Sequence, residues 1–138
     1  MTGRLPAGDG GHSLLPASPT RLVGRERERR AARDLLMLEH VRLLTLTGPG
    51  GSGKTRLALA VTEDLAPTFA DGVRLVDLTP LREPSLVVPA IARAFGVHES
   101  GRRPIAEVLF ERLQTERVLL VLDNCEHLLE AAPAIARR

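Results

Sequence analysis

The sequence predicts an α/β fold, a parallel sheet with helices on both faces, on three observations. Residues 41–47 form a run of β-formers and leucines. Residues 117–123 set an unbroken apolar run between Arg117 and Asp123, as in a strand buried on both faces. Between and around them, apolar residues recur at helical spacing, giving the order helix, β, α, β, α, α, β, α. About three strands are expected.

Residues 1–20 are rich in Gly, Pro and Ser with only Leu14 and Leu15 as an apolar pair, and read as a flexible leader. Residues 25 to about 40 read as a helix with Ala31, Leu35 and Leu38 on one face beside Ala32 and Leu36. Its charged start, Arg25 to Arg33, reads as a solvated face with Glu26 and Arg30 paired one turn apart. After the strand at 41–47, residues 54–66 carry Leu57, Ala58, Val61 and Leu65 at helical spacing. A turn at 67–72 leads to a strand at 73–77. A helix at 84–95 follows, with Val87, Ile91 and Ala94 as its buried stripe and Gly96 as its stop. Pro104 opens another helix whose Ile105, Val108, Leu109 and Leu113 face inward, and the strand ending at Asp123 comes next. A last helix begins at Pro133 with no stop signal after it, so residues 21–138 are expected to be the N-terminal part of a domain that is cut off.

Composition narrows the class. A chain that is 43% apolar with mean hydropathy near zero suits a water-soluble globular domain. One cysteine excludes an internal disulfide, and no apolar stretch is long enough for a membrane span or a signal peptide, so a cytoplasmic protein with no membrane partner is expected. A formal charge of only +2 does not imply nucleic acid. The only aromatics, Phe69, Phe95 and Phe110, lie in or beside apolar elements and leave no stacking platform for single strands. Glu26 and Glu28 blunt the basic helix, so direct nucleic-acid binding is not expected. His12, His40, His98 and His127 lack metal-ligand spacing, and Cys125 reads as a small apolar filler. Asp77 reads as a strand-end cap.

The chemistry concentrates in Gly48-Pro49-Gly50-Gly51-Ser52-Gly53-Lys54-Thr55, which fits G-x-x-x-x-G-K-[ST] and holds the single lysine among 19 Lys and Arg residues. The glycines let successive N–H groups turn inward around one anion, and the helix that follows adds its positive end. A thin ammonium stem reaches into such a loop where a guanidinium fits badly. Lys54 is thus expected on the β and γ phosphates of a nucleotide, and Thr55 on Mg²⁺, with Arg56 continuing the binding segment. Asp123 is placed to hold the same Mg²⁺, partly through water. A phosphate loop does not distinguish transfer to water from transfer to a hydroxyl, so a small-molecule kinase or another ATP-hydrolysing enzyme stands as the alternative. The Val-Gly-Arg-Glu segment at 23–26 does not belong to one.

Leu22-Val-Gly-Arg-Glu26, the loop with its flanks from Leu44 to Ala58, and Leu120-Val-Leu-Asp-Asn-Cys-Glu-His-Leu128 together resemble the nucleotide module of STAND P-loop ATPases. The likeness is to the NB-ARC or AP-ATPase-like modules of large bacterial transcriptional regulators, many of LuxR type, and covers about residues 20–138. It implies ATP or ADP with Mg²⁺ as ligands, and adenine contacts from Val23 and Arg25. It also implies a five-stranded P-loop NTPase sheet in which a sensor strand separates the loop strand from the Asp123 strand. Many members carry a second acid after the Asp123 position to polarise water; here Asn124 stands there, which implies weak or absent hydrolysis, with Glu126 the nearest alternative base. The family further implies C-terminal regulatory and DNA-binding domains beyond this chain, and a homo-oligomer in the full-length form.

Overall fold

The computed structural model describes residues 24–99 and 101–128, and from them builds an α/β unit around a parallel pair of strands. In chain order the elements are α1 (Glu26–Leu36), α2 (Lys54–Leu65), β1 (Val73–Asp77), α3 (Val87–Ala94), α4 (Ile105–Thr115) and β2 (Leu119–Asp123). Single 3₁₀ turns occupy Ala66–Thr68, Pro84–Leu86 and Glu126–Leu128. The expected leader and the helix at Pro133 lie outside the described residues.

β1 and β2 run in register from Val73 opposite Leu119 to Asp77 opposite Asp123. Asp71 clamps their N-terminal ends: its N–H donates to the Arg117 carbonyl, and its carboxylate accepts the Arg117 N–H at 2.6 Å. At the far end the Leu78 N–H donates to the Asp123 carbonyl at 3.0 Å. Successive residues of β2 point to opposite faces. Leu119 packs with Ala32, Leu57, Val61 and Leu65 from α1 and α2, while Leu120 and Leu122 pack with Val87, Ile91 and Leu109 from α3 and α4. Helices therefore cover both faces, as the sequence predicts.

The third strand is a correction. In residues 41–47, Leu44 and Leu46 turn toward the α1–α2 core while Leu43, Thr45 and Thr47 are exposed, the alternation of a strand. No described backbone pairs with this segment, however, and a strand exists only through its ladder. The sheet thus has two strands among the described residues rather than three.

α1 is also shorter than expected. Glu26 and Glu28 suit the positive end of its dipole and Arg33 the negative end. After Leu36 the bonds tighten, Leu38 N–H to Leu35 O and Val41 N–H to Leu38 O, and end the helix. Only Ala32 is buried; Leu35 and Leu38 are each 44% exposed, so the buried stripe is narrower than the periodicity suggests. The expected Glu26–Arg30 pair is not formed; Arg29 instead reaches across to Asp64 of α2.

α2 buries Leu57, Leu59, Ala60, Val61, Thr62 and Leu65, a broader face than predicted, because it lies between α1 and the sheet. Thr62 satisfies its hydroxyl on the Ala58 carbonyl at 2.7 Å. α3 begins after the Pro84 turn, tolerates Pro89 in its first turn, and buries Val87, Ile91 and Ala92, with Ala94 only partly buried. It ends as Gly96 adopts φ +66°: the Val97 N–H reaches Ala92 O and the Gly96 N–H reaches Arg93 O. In α4 Leu109 is fully buried and Ile105, Val108 and Leu113 pack partly against the same core.

Candidate nucleotide site

The phosphate loop leaves residue 47 and closes onto α2 through Gly53, whose φ of +85° a side chain would strain. That turn starts the helix at Lys54, so the first free N–H groups of α2 open toward the loop. The loop folds on itself through the Ser52 N–H to Pro49 O at 3.1 Å and the Leu57 N–H to Gly53 O at 3.0 Å. Lys54 Nζ arches back to the Gly48 carbonyl at 2.7 Å, with the Pro49 carbonyl at 3.5 Å. At Gly48 an added Cβ would meet Ser52 Oγ at 2.9 Å, so a side chain there would displace that hydroxyl.

Across the site, Thr55 Oγ1 donates to the Asp123 carboxylate, at 3.1 Å from each oxygen, joining residues 68 apart in sequence. The fold thus brings together the hydroxyl at the start of α2 and the acid at the end of β2. Asn124 follows in the left-handed region, φ +58°, the one described non-glycine residue there. Its side-chain amide donates to Asp77 Oδ1 at 3.0 Å, and its backbone N–H donates to Asp123 Oδ1 at 3.0 Å. Asp77 Oδ1 also accepts the Thr79 hydroxyl and N–H at 2.6 and 2.9 Å. Those two bonds and the one from Asn124 hold the Asp77 carboxyl below its usual range.

Glu126, the candidate base, lies with Oε1 3.6 Å from Lys54 Nζ and is largely exposed. Arg25, expected near a base, sends Nη2 to the Ser52 carbonyl and so ties the start of α1 to the phosphate loop. Val23 lies outside the described residues. Pro49, Gly50, Gly51 and Arg56 are exposed at the loop and first turn, and Cys125 packs partly against the α3–α4 core. The Arg25–Ser52 and Asn124–Asp77 bonds are absent from the sequence reading. An asparagine directly after a strand-end acid was the available signal for the second, because Asn tolerates left-handed backbone.

The residues present fit a nucleotide with magnesium. Ser52 Oγ is buried without a protein partner, Lys54 supplies the lone ammonium, and the Thr55–Asp123 pair is a hard oxygen donor set. Among the described residues no three His, Cys, Asp or Glu side chains converge to hold a metal unaided. Magnesium bound beside phosphates needs only one or two protein ligands. A shallow depression lined by Glu26, Arg29, Arg30, Arg33 and Asp64 includes none of the loop residues, and its opposed charges pair across it. Among the described residues no helix is long and apolar enough to cross a membrane.

Comparison with known proteins finds relatives named as regulators. A putative HTH-type transcriptional regulator of Mycobacterium tuberculosis is 42% identical over 99 residues, covering 72% of this chain and 11% of that protein. An uncharacterized protein of the same species is 40% identical over 116 residues, covering 84% of this chain and 29% of its own length. Regulatory protein AfsR of Streptomyces coelicolor is 31% identical over 140 residues, covering 88% and 14% respectively. The chain therefore spans less than a third of the length of each of these relatives. No solved structure matches. The family model described as AAA domain matches residues 37–137, a span that begins before the phosphate loop and runs past Asp123. That match covers well over half of the chain, which therefore belongs to the AAA domain family of the P-loop NTPase superfamily.

Proposed function

We propose that this chain is the nucleotide-binding part of a switch module in a transcriptional regulator of the STAND type, with an NB-ARC or AP-ATPase-like module as in LuxR-type regulators. It takes ATP or ADP with Mg²⁺ and hydrolyses weakly or not at all in isolation. The observation that carries the reading is the meeting of Thr55 and Asp123 beside the Lys54 loop. The regulator names of the relatives support the setting.

Each residue has a role set by its position. Loop N–H groups and Lys54 bind phosphate oxygens, and the first turn of α2 adds its dipole. Thr55 and Asp123 orient the metal, which supplies charge neutralisation between the phosphates. Asn124 carries no carboxylate with which to polarise water, which leaves Glu126, 3.6 Å from Lys54 Nζ, as the nearest candidate base. A site that grips phosphates and turns over slowly reports which nucleotide is bound, and C-terminal domains in the cytoplasmic full-length protein, itself a homo-oligomer, read that state.

Lys54→Ala tests the reading. Binding of a fluorescent ATP analogue should fall at least ~100-fold, as when a buried charge-assisted contact is lost. Undiminished binding would reject the site. Turnover by the unaltered chain should stay near background, and a rate of ~1 s⁻¹ or above would reject the switch.

A further inference from the structure

Asp77 and Asp123 end neighbouring strands in direct register, so two carboxylates stand side by side at the mouth of the site. Asn124 lies between them. Its left-handed backbone turns the chain sharply after β2, its amide reaches back across the ladder to Asp77, and its N–H holds Asp123 Oδ1. Asp123 in turn accepts from Thr55, and the Asp77 oxygen that meets Asn124 is fixed from its other side by Thr79. A continuous polar chain, Thr79–Asp77–Asn124–Asp123–Thr55, therefore crosses the C-terminal edge of the sheet to the first turn of α2. No other described bond joins these strand-end side chains.

We infer that Asn124 is a positioning residue for the magnesium-binding carboxylate: its amide straps the two strand ends together and holds Asp123 turned toward Thr55. The inference rests on the nucleotide reading above. It also accounts for the missing second acid. A carboxylate at position 124 would set its oxygen at hydrogen-bond distance from an Asp77 oxygen that already carries negative charge, with no proton between them. Asp77 thus dictates an amide at 124, and the chain exchanges a water-polarising acid for a fixed metal carboxylate.

The experiment measures affinity for fluorescent ADP with and without Mg²⁺, on the full chain, with circular dichroism melts as the folding control. Asn124→Gly keeps left-handed backbone accessible and removes only the amide. It should weaken magnesium-dependent binding about tenfold, with metal-free binding changed by no more than about twofold. Asn124→Asp should weaken it as much or more, and the exchanged pair Asn124→Asp with Asp77→Asn should restore it to within about threefold of the unaltered chain. A merely structural asparagine would lower metal-free binding equally, whether or not the exchange rescued it. Unchanged magnesium dependence in Asn124→Gly overturns the inference, as does an Asn124→Asp variant that keeps its affinity and gains turnover. If Asn124→Asp does not fold, Asn124→Gly decides alone. A chain whose variants all bind nucleotide with the same magnesium dependence overturns this inference only. Failure of the unaltered chain to bind nucleotide overturns the nucleotide reading and this inference with it.

Discussion

The two faces of the sheet are packed to different depths. On the α3–α4 side Ile91, Ala92 and Leu109 are 0% exposed and Leu78, Val87 and Leu128 1%. On the α1–α2 side Ala32, Leu57, Val61 and Leu65 form a smaller cluster, and Leu35, Leu38 and Leu43 in the segment from α1 to the loop stay exposed. The phosphate loop and Arg25 belong to the thinner side. The contrast assigns stability to one face and chemistry to the other: a closed core fixes β1 and β2, and the strand ends then carry Asp77, Asp123 and Asn124 into the site.

The largest effect should come from breaking the thick side. Leu109→Ala leaves a cavity among residues with no freedom to collapse and should cost about 3 kcal/mol in urea unfolding. Leu57→Ala, in the smaller cluster beside partly exposed neighbours, should cost about 2 kcal/mol. Equal losses would mean that the two faces contribute alike and that the comparison fails.

The same contrast explains what the sequence reveals. α3, α4 and both strands are legible because each pairs a periodic apolar stripe with a stop or start signal, as Ile91 does with Gly96 and Leu109 with Pro104. On the thin side periodicity misleads: Ala31, Leu35 and Leu38 keep helical spacing although α1 ends at Leu36 and those side chains are exposed. Residues 41–47 show that strand propensity is not enough where no partner backbone is at hand. In the candidate site, Lys54 and Thr55 are legible because the loop pattern fixes their spacing, and Asp123 because an acid closes a buried apolar run. The Arg25–Ser52 and Asn124–Asp77 bonds depend on distances between segments, which one-dimensional spacing does not encode.

Arg25 sharpens the comparison at the next magnitude, because it is the side chain through which α1 reaches the phosphate loop. Arg25→Ala should weaken nucleotide binding about fivefold while leaving the urea midpoint within experimental scatter, since charge-assisted bonds at partly exposed sites contribute about 1 kcal/mol. Inorganic pyrophosphate separates the two roles open to this residue. If Arg25 holds the loop, pyrophosphate binding falls with ADP binding; if it contacts adenine, as the STAND resemblance implies, ADP alone is affected.

The smallest effect concerns the link between α1 and α2. Arg29 grips Asp64 through two bonds, Nε to Oδ2 at 2.7 Å and Nη2 to Oδ1 at 2.6 Å. The hydrogen bonds and charge of Arg29 hold the Asp64 carboxyl below its usual range against a smaller opposing effect of burial. Because the folded-state pKa lies under the unfolded value of about 3.9, the stabilisation is complete above that pH and disappears as pH falls through the folded value. Both side chains are 28% exposed, so solvent screening limits the pair to about 0.5 kcal/mol. Asp64→Asn should therefore lower stability by about that amount at neutral pH, less in high salt, and not at all near pH 2. A deficit that persists near pH 2 would mean that the substitution disturbs packing between α1 and α2 rather than an ion pair. The thin face would then owe its cohesion to the apolar packing of Ala32, Leu57, Val61 and Leu65.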